Sequence, residues 1–203
     1  MIDPATLAAF ALTSLVIELT PGPNMAYLAL IAATEGRKSG FAAVAGVALG
    51  LGILGLAAAL GLAAVIAGSE LAYQLLRWCG VVYLLWLAWD AWTESGKAED
   101  LAQAGSLLGL YFRRGLTTNL LNPKAAVFFI AVLPGFLPAA PGFGDTLILS
   151  VTYVLVATAV HGGIVAIAGL AQDWLSDSRR TRLARRGMAL ALVGVAIWML
   201  QKT

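Results

Sequence analysis

This chain of 203 residues contains one cysteine, one histidine and few charges. A lone cysteine, Cys79, excludes an internal disulfide, and its expected place is a small side chain at a helix contact. Charged residues make up 12% of the chain, about half the roughly 25% usual for a soluble domain. No cluster of His, Cys and acidic residues at metal-ligand spacing is present, so no metal or other cofactor is expected. Phosphate-binding loops, nucleophile elbows and aromatic-basic surfaces are equally missing, which sets aside nucleotide chemistry, hydrolase chemistry and nucleic-acid binding. The residues ahead of the first apolar run hold Asp3 and no Lys or Arg, which argues against a secretory signal. What is present instead is apolar: 60% of the residues are hydrophobic and the mean hydropathy is +0.86. A water-soluble protein of this size cannot hide so much apolar surface, so lipid is the solvent for much of it.

A spanning helix needs about 20 apolar residues. Six stretches meet that length: 4–34, 40–68, 71–92, 107–137, 146–172 and 183–200. The hydrophilic run TESGKAEDLAQAGS, 93–106, reads as an exposed linker between a first unit, 1–92, and a second, 107–203, of one transmembrane domain. The loops after spans 1, 3 and 5 hold Arg37, Lys38, Lys97, Arg113, Arg114, Arg179, Arg180, Arg182, Arg185 and Arg186. The opposite face has Lys202, with Arg77 near it. By the positive-inside rule those three loops are cytoplasmic and both termini lie outside.

Spans 1 and 4 share a peculiarity. Each would form a straight helix of about 46 Å, longer than the bilayer core is thick. Each also carries helix breakers at the same relative depth, LTPGPN (19–24) and NLLNPKA (119–125). A shift of 100 residues lays Pro23 on Pro123, Asn24 on Lys124 and Glu18 on Thr118. Two units of three spans each must enter the membrane with opposite orientation. The expected fold is therefore an all-α integral membrane protein of six helices, built as two inverted three-helix repeats with spans 1 and 4 broken at proline. Secondary transporters are built on that plan, with the site where the broken helices meet.

The chemistry expected at that meeting point follows from the residues. Pro21 and Pro23 end one half-helix, and Pro23 is suited to open the next. Gly22 allows a turn that other residues resist. The N–H groups of Asn24, Met25 and Ala26 then lack helical partners and favour an anion such as a substrate carboxylate. The Asn24 amide donates and accepts, and Thr20 offers a hydroxyl. An acidic residue at this depth costs a few kcal/mol, so Glu18 must be partnered. Lys124 is the evident partner, and a substrate ammonium or a proton can compete for the same carboxylate. Asn119, Asn122 and Pro123 complete the set at the second break. His161, inside span 5, reads either as a packing residue or as a proton relay. Asp90 is expected to snorkel or to pair with a basic loop residue. Gly46, Gly50, Gly52, Gly55 and Gly61 mark span 2 as a close-packing helix. Trp89, Trp92 and Trp198 fit interfacial anchoring.

LTPGPNM in span 1, GVVYLLWLAW from Gly80, NLLNPKAAVFF in span 4 and the trailing VLPGF together resemble the LysE/RhtB family of amino-acid exporters. The resemblance covers nearly the whole chain. It implies a bacterial inner-membrane exporter of amino acids or their relatives, driven by the proton motive force, and it is compatible with a homodimer. Its first signature falls on Pro21, Gly22, Pro23 and Asn24, and its second on Asn119, Asn122, Pro123 and Lys124. Departures are visible: Glu18 where many relatives are neutral, Asn24 where many carry aspartate, Ala88 in place of a frequent glycine and Gly135 in place of a frequent glutamine. The acid thus sits six residues earlier on the same helix. The expected function is proton-coupled export of a small amino acid across the lipid bilayer, with Glu18 and His161 as coupling residues. Transport of a metal cation or another metabolite, an intramembrane enzyme and a non-transporting scaffold are the rival readings.

Overall fold

The structure, a computed structural model, describes residues 2–20, 22–61, 69–93, 107–171 and 178–201. Pro21, all but the first residue of the expected linker, the far ends of spans 2 and 5, and Lys97 and Lys202 lie outside the described residues. Among the described residues all regular structure is helical. Helices α1 (Pro4–Leu19) and α2 (Pro23–Thr34) form a bent pair with 63° between them. They are followed by α3 (Gly36–Ala59) and α4 (Glu70–Thr93). The same order then recurs. Helix α5 (Leu107–Leu120) is bent by 50° against α6, which starts as Pro123–Val127 and runs through a π-helical turn, Phe128–Val132, and a 3-10 turn, Leu133–Phe136. Helices α7 (Phe143–Ala168) and α8 (Ser178–Gln201) complete the chain.

The local causes are legible. Asp3 caps α1, its carboxylate accepting from the N–H groups of Ala5 and Thr6 at 3.0 Å. The end of α1 is closed by the Thr20 hydroxyl, which donates to the Ile17 carbonyl. At both breaks an extended residue precedes a proline in the first helical turn, where its missing N–H costs nothing. At the second break Asn122 also caps, accepting from the Lys124 N–H at 3.0 Å. Helix α3 begins earlier than expected, at Gly36 rather than Gly40. Gly36 has φ +87°, open to glycine and costly for other residues, and it turns α2 straight into α3. Arg37 and Lys38 therefore sit in the first turn of α3, and Arg113 and Arg114 sit within α5 rather than in a loop.

Helices α3 and α7 are each long and apolar enough to cross a bilayer alone, and each bent pair qualifies if taken as one unit. Helices α4 and α8 match them in length, but Glu70, Arg77 and Asp90 dilute one and the Arg179–Arg186 cluster dilutes the other. Among the described residues, length and composition alone thus give two to four spans.

Helix α7 shows how the surface is organised. Its inner face holds Thr146, Ser150, Tyr153 and His161, all buried, while Ile148, Val151 and Leu155 point outward and are exposed. Polar inside and apolar outside reverses the arrangement suited to water and fits a lipid surround. Helix α3 packs most extensively on α5, and α4 on α8. The α3–α5 contact is made backbone to backbone: a Cβ at Gly46 would lie 2.0 Å from the Phe112 carbonyl oxygen, and one at Gly115 2.2 Å from that of Ala43. Small residues permit this approach, and dense contact rather than hydrophobic exclusion holds helices together in lipid. Gly52, by contrast, faces open space.

Gly46→Ala and Gly115→Ala each force the two helices apart, at a cost of about 1–3 kcal/mol. Thermal unfolding in detergent is expected to show both variants lowered and Gly52→Ala close to the parent.

Candidate functional site

The two breaks lie against each other. Glu18, in the last turn of α1, is 5% exposed. A buried carboxylate is tolerated only where other groups take over from water. Here the Tyr153 hydroxyl of α7 donates to Oε1 at 2.7 Å, and Nε2 of His161, also on α7, lies 3.2 Å from Oε2. Nζ of Lys124, from the first turn of α6, stands 3.9 Å from Oε1. Lys124 is held more closely by the Thr20 carbonyl, to which it donates at 3.0 Å. The expected Glu18–Lys124 pair is present, but it is the longest of the carboxylate's three contacts. Glu18 is held first by Tyr153 and His161.

The other expected residues take distinct places. The Asn24 side-chain amide, on α2, donates to Oδ1 of Asn119 on α5 at 2.9 Å in a fully buried contact. Oδ1 of Asn24 and Nδ2 of Asn119 are buried and have no partner among the described residues, which leaves one acceptor and one donor unused. Asn119 also fills the space beside Gly50, where a Cβ would come 2.7 Å from its amide nitrogen. Asn122 and Pro123 shape the start of α6. The Thr20 hydroxyl is used in closing α1, so it is the Thr20 carbonyl that faces the site. Gly22 does not make a left-handed turn: its φ of −162° is open to any residue. Its smallness matters instead, because a Cβ there would sit 3.2 Å from Cδ of Lys124. The Ala26 N–H is taken by the Gly22 carbonyl at 3.1 Å, so the expected trio of free donors loses one member.

Tyr153 was not singled out from sequence. The available signal was spacing: Ser150, Tyr153, Ala157 and His161 recur at three and four residues along an otherwise apolar helix, which places them on one stripe. Phe128, in the π-helical turn, stacks on Tyr153 with ring centroids 3.6 Å apart and planes 9° apart. That stacking fixes the ring whose hydroxyl holds Glu18. The second nitrogen of His161, Nδ1, is buried and has no partner among the described residues. Among the described residues no group of three or more His, Cys, Asp or Glu side chains could hold a metal ion. The arrangement is one carboxylate ringed by a phenol, an imidazole and an ammonium, beside a pair of half-satisfied amides. It is suited to holding and releasing cations and protons.

Residues 15–203 match the LysE type translocator family. The chain is 32% identical to a homoserine/homoserine lactone efflux protein of Salmonella typhimurium, over 93% of this chain and 94% of that one. The corresponding protein of Salmonella typhi is 31% identical over the same shares. An uncharacterised membrane protein of Vibrio cholerae is 30% identical over 79% of each chain. No solved structure matches.

Tyr153→Phe removes the closest hydrogen bond to Glu18 while keeping the stack on Phe128. A hydrogen bond to a charged group contributes about 1.5–3 kcal/mol, so the variant is expected to unfold at a lower temperature than the parent. Thr152→Val, at a half-buried position of the same helix where the hydroxyl bonds within its own helix, to the Ile148 carbonyl, serves as the control.

Proposed function

The chain belongs to the LysE type translocator family, and from that premise we propose that it is a secondary transporter which exports a small amino acid or amino-acid derivative by proton antiport with alternating access. It is a multi-pass membrane protein of a transport family. In our reading it sits in the bacterial cytoplasmic membrane, with six spans in two inverted halves, 1–92 and 107–203, both termini outside and the basic loops in the cytoplasm. The efflux names of the Salmonella relatives make homoserine and its lactone the first compounds to try.

The observation that carries this reading is the Glu18 carboxylate, buried at the junction of the two broken helices with Tyr153, His161 and Lys124 around it. Antiport requires that proton and substrate exclude each other at one place. A carboxylate does this by charge: ionised, it attracts a substrate ammonium; protonated, it loses most of that attraction. Lys124, 3.9 Å away, is the ammonium that a substrate would replace. The substrate carboxylate would then meet the freed Lys124 and the spare polar atoms of Asn24 and Asn119. His161 faces Glu18 through Nε2, and its second nitrogen has no partner among the described residues; this supports a role in passing a proton to or from the carboxylate. Alternating access would follow from the bent pairs, whose breaks are the points where the two halves can reorient.

Reconstitution into liposomes under an imposed pH gradient tests the reading. The parent is expected to drive amino-acid or lactone efflux against proton influx. Glu18→Gln and Lys124→Ala are expected to lose proton-driven transport by at least about a hundredfold, with folding retained in detergent. Gradient-driven transport at the parent's rate in both variants rejects the mechanism.

A further inference from the structure

A second polar cluster lies along the same helices and is not used by the mechanism above. Nη2 of Arg114, on α5, is 2.6 Å from Oδ2 of Asp90, on α4, and their side chains are only 13% and 17% exposed. The guanidinium lies 5.5 Å from the centre of the Trp86 ring, and the Tyr83 hydroxyl donates to the Arg114 carbonyl. Tyr27, on α2, lines the same small cavity of about 30 Å³ as Asp90, Arg114 and Tyr111. Tyr27 is 1% exposed, and its hydroxyl has no hydrogen-bond partner among the described residues. A buried phenol without a protein partner is free to bond to a group that enters the cavity it lines.

Position ties this cluster to the Glu18 region. Tyr27 is three residues beyond Asn24 and so lies on the same side of α2. Arg114 is five residues before Asn119 on α5. The Asn24–Asn119 bond therefore stands between the two clusters. The second one lies toward the end that carries Arg37, Lys38 and Arg113, where the positive-inside argument puts the cytoplasm.

We propose that Asp90, Arg114 and the Tyr27 hydroxyl form a second binding site, on the cytoplasmic side, for the zwitterionic head of an amino acid. This inference rests on the transport reading above. A guanidinium offers two parallel donors to a carboxylate, and a carboxylate takes an ammonium. An α-amino acid carries both complementary charges two bonds apart. With the pair as it stands, the cavity beside it has room for water but not for an amino acid. Water or a simple ion cannot separate it cheaply, because either would leave a charge desolvated and unpaired. A zwitterion supplies both counter-charges together, so the ligand itself exchanges for the internal ion pair. The Tyr27 hydroxyl gains on ligand binding the partner it lacks at rest. A ligand without a carboxylate, such as a lactone, has no claim on Arg114.

The test compares homoserine with its lactone in proteoliposomes, or whichever amino acid the parent moves fastest with its methyl ester, at varied cytoplasmic-side concentration. Tyr27→Phe is expected to unfold no lower than the parent, since no bond is lost at rest. It is expected to raise KM for the amino acid by about two- to tenfold, the worth of one hydrogen bond. The double variant Asp90→Asn with Arg114→Gln is expected to raise KM for the amino acid at least about tenfold more than for the lactone or ester, as loss of a charge-assisted pair implies. An unchanged KM in Tyr27→Phe, or an equal rise for both compounds in the double variant, overturns the site and leaves the pair a structural brace. A parent that moves no amino acid or derivative sinks the transport reading, and this site with it.

Discussion

A single buried carboxylate sets the terms for the rest of this molecule. Glu18 lies where water cannot solvate it, so the fold must deliver replacement partners from elsewhere in the chain. It does so from two other elements, with Tyr153 and His161 on α7 and Lys124 on α6. Each of these has its own support. Phe128 stacks on Tyr153, and the Thr20 carbonyl holds Lys124. The helix breaks are part of the same solution. Unwinding α1 after Leu19 frees the Thr20 carbonyl for Lys124, and starting α6 at Pro123 brings Lys124 within reach.

The LysE type translocator match and the arrangement of polar groups agree on one point. The helices present apolar side chains outward and place their few polar groups where broken segments meet. In a bilayer this is the only economical way to keep ionisable groups, because backbone and side chains alike must find partners inside the protein. The polar groups fall in two sets separated by the Asn24–Asn119 bond, a carboxylate-centred one and an arginine–aspartate one. Both combine an acid and a base, and both leave a polar atom without a partner: Nδ1 of His161 in the first, the Tyr27 hydroxyl in the second.

Much of the fold was legible because proline acts locally. Pro23 and Pro123 announce their breaks without reference to anything distant, and the 100-residue offset between them follows directly. Most helix ends were read to within a few residues, but α3 stops at Ala59, where Leu60 and Gly61 turn, well short of the expected end of span 2 at Gly68. Basic residues were taken as loop markers, yet Arg37, Lys38, Arg113 and Arg114 all lie in helices: the first three are exposed, since a long side chain can reach outward while its backbone stays helical, and Arg114 turns inward to Asp90. The roles of Gly22 and Asn122 were less legible. A glycine between prolines suggests a turn, but here it makes room for Lys124; Asn122 is a helix cap. Least legible were pairings between remote residues. Nothing near Glu18 in the chain points to Tyr153, 135 residues away. Asp90 was expected to snorkel or to pair with a basic loop residue; it pairs with Arg114, which lies inside α5.

The contact between α3 and α5 limits how the protein can move. At Gly46 and Gly115 one main chain rests on another, with no side chain between them to change rotamer. A seam of that kind has no play: the two helices can slide or rotate together, but they separate only by losing the contact altogether. They therefore behave as a keel. Any give between helices must come from thinner seams, and the meeting of α4 with α5, bridged by Asp90 and Arg114, is one of these.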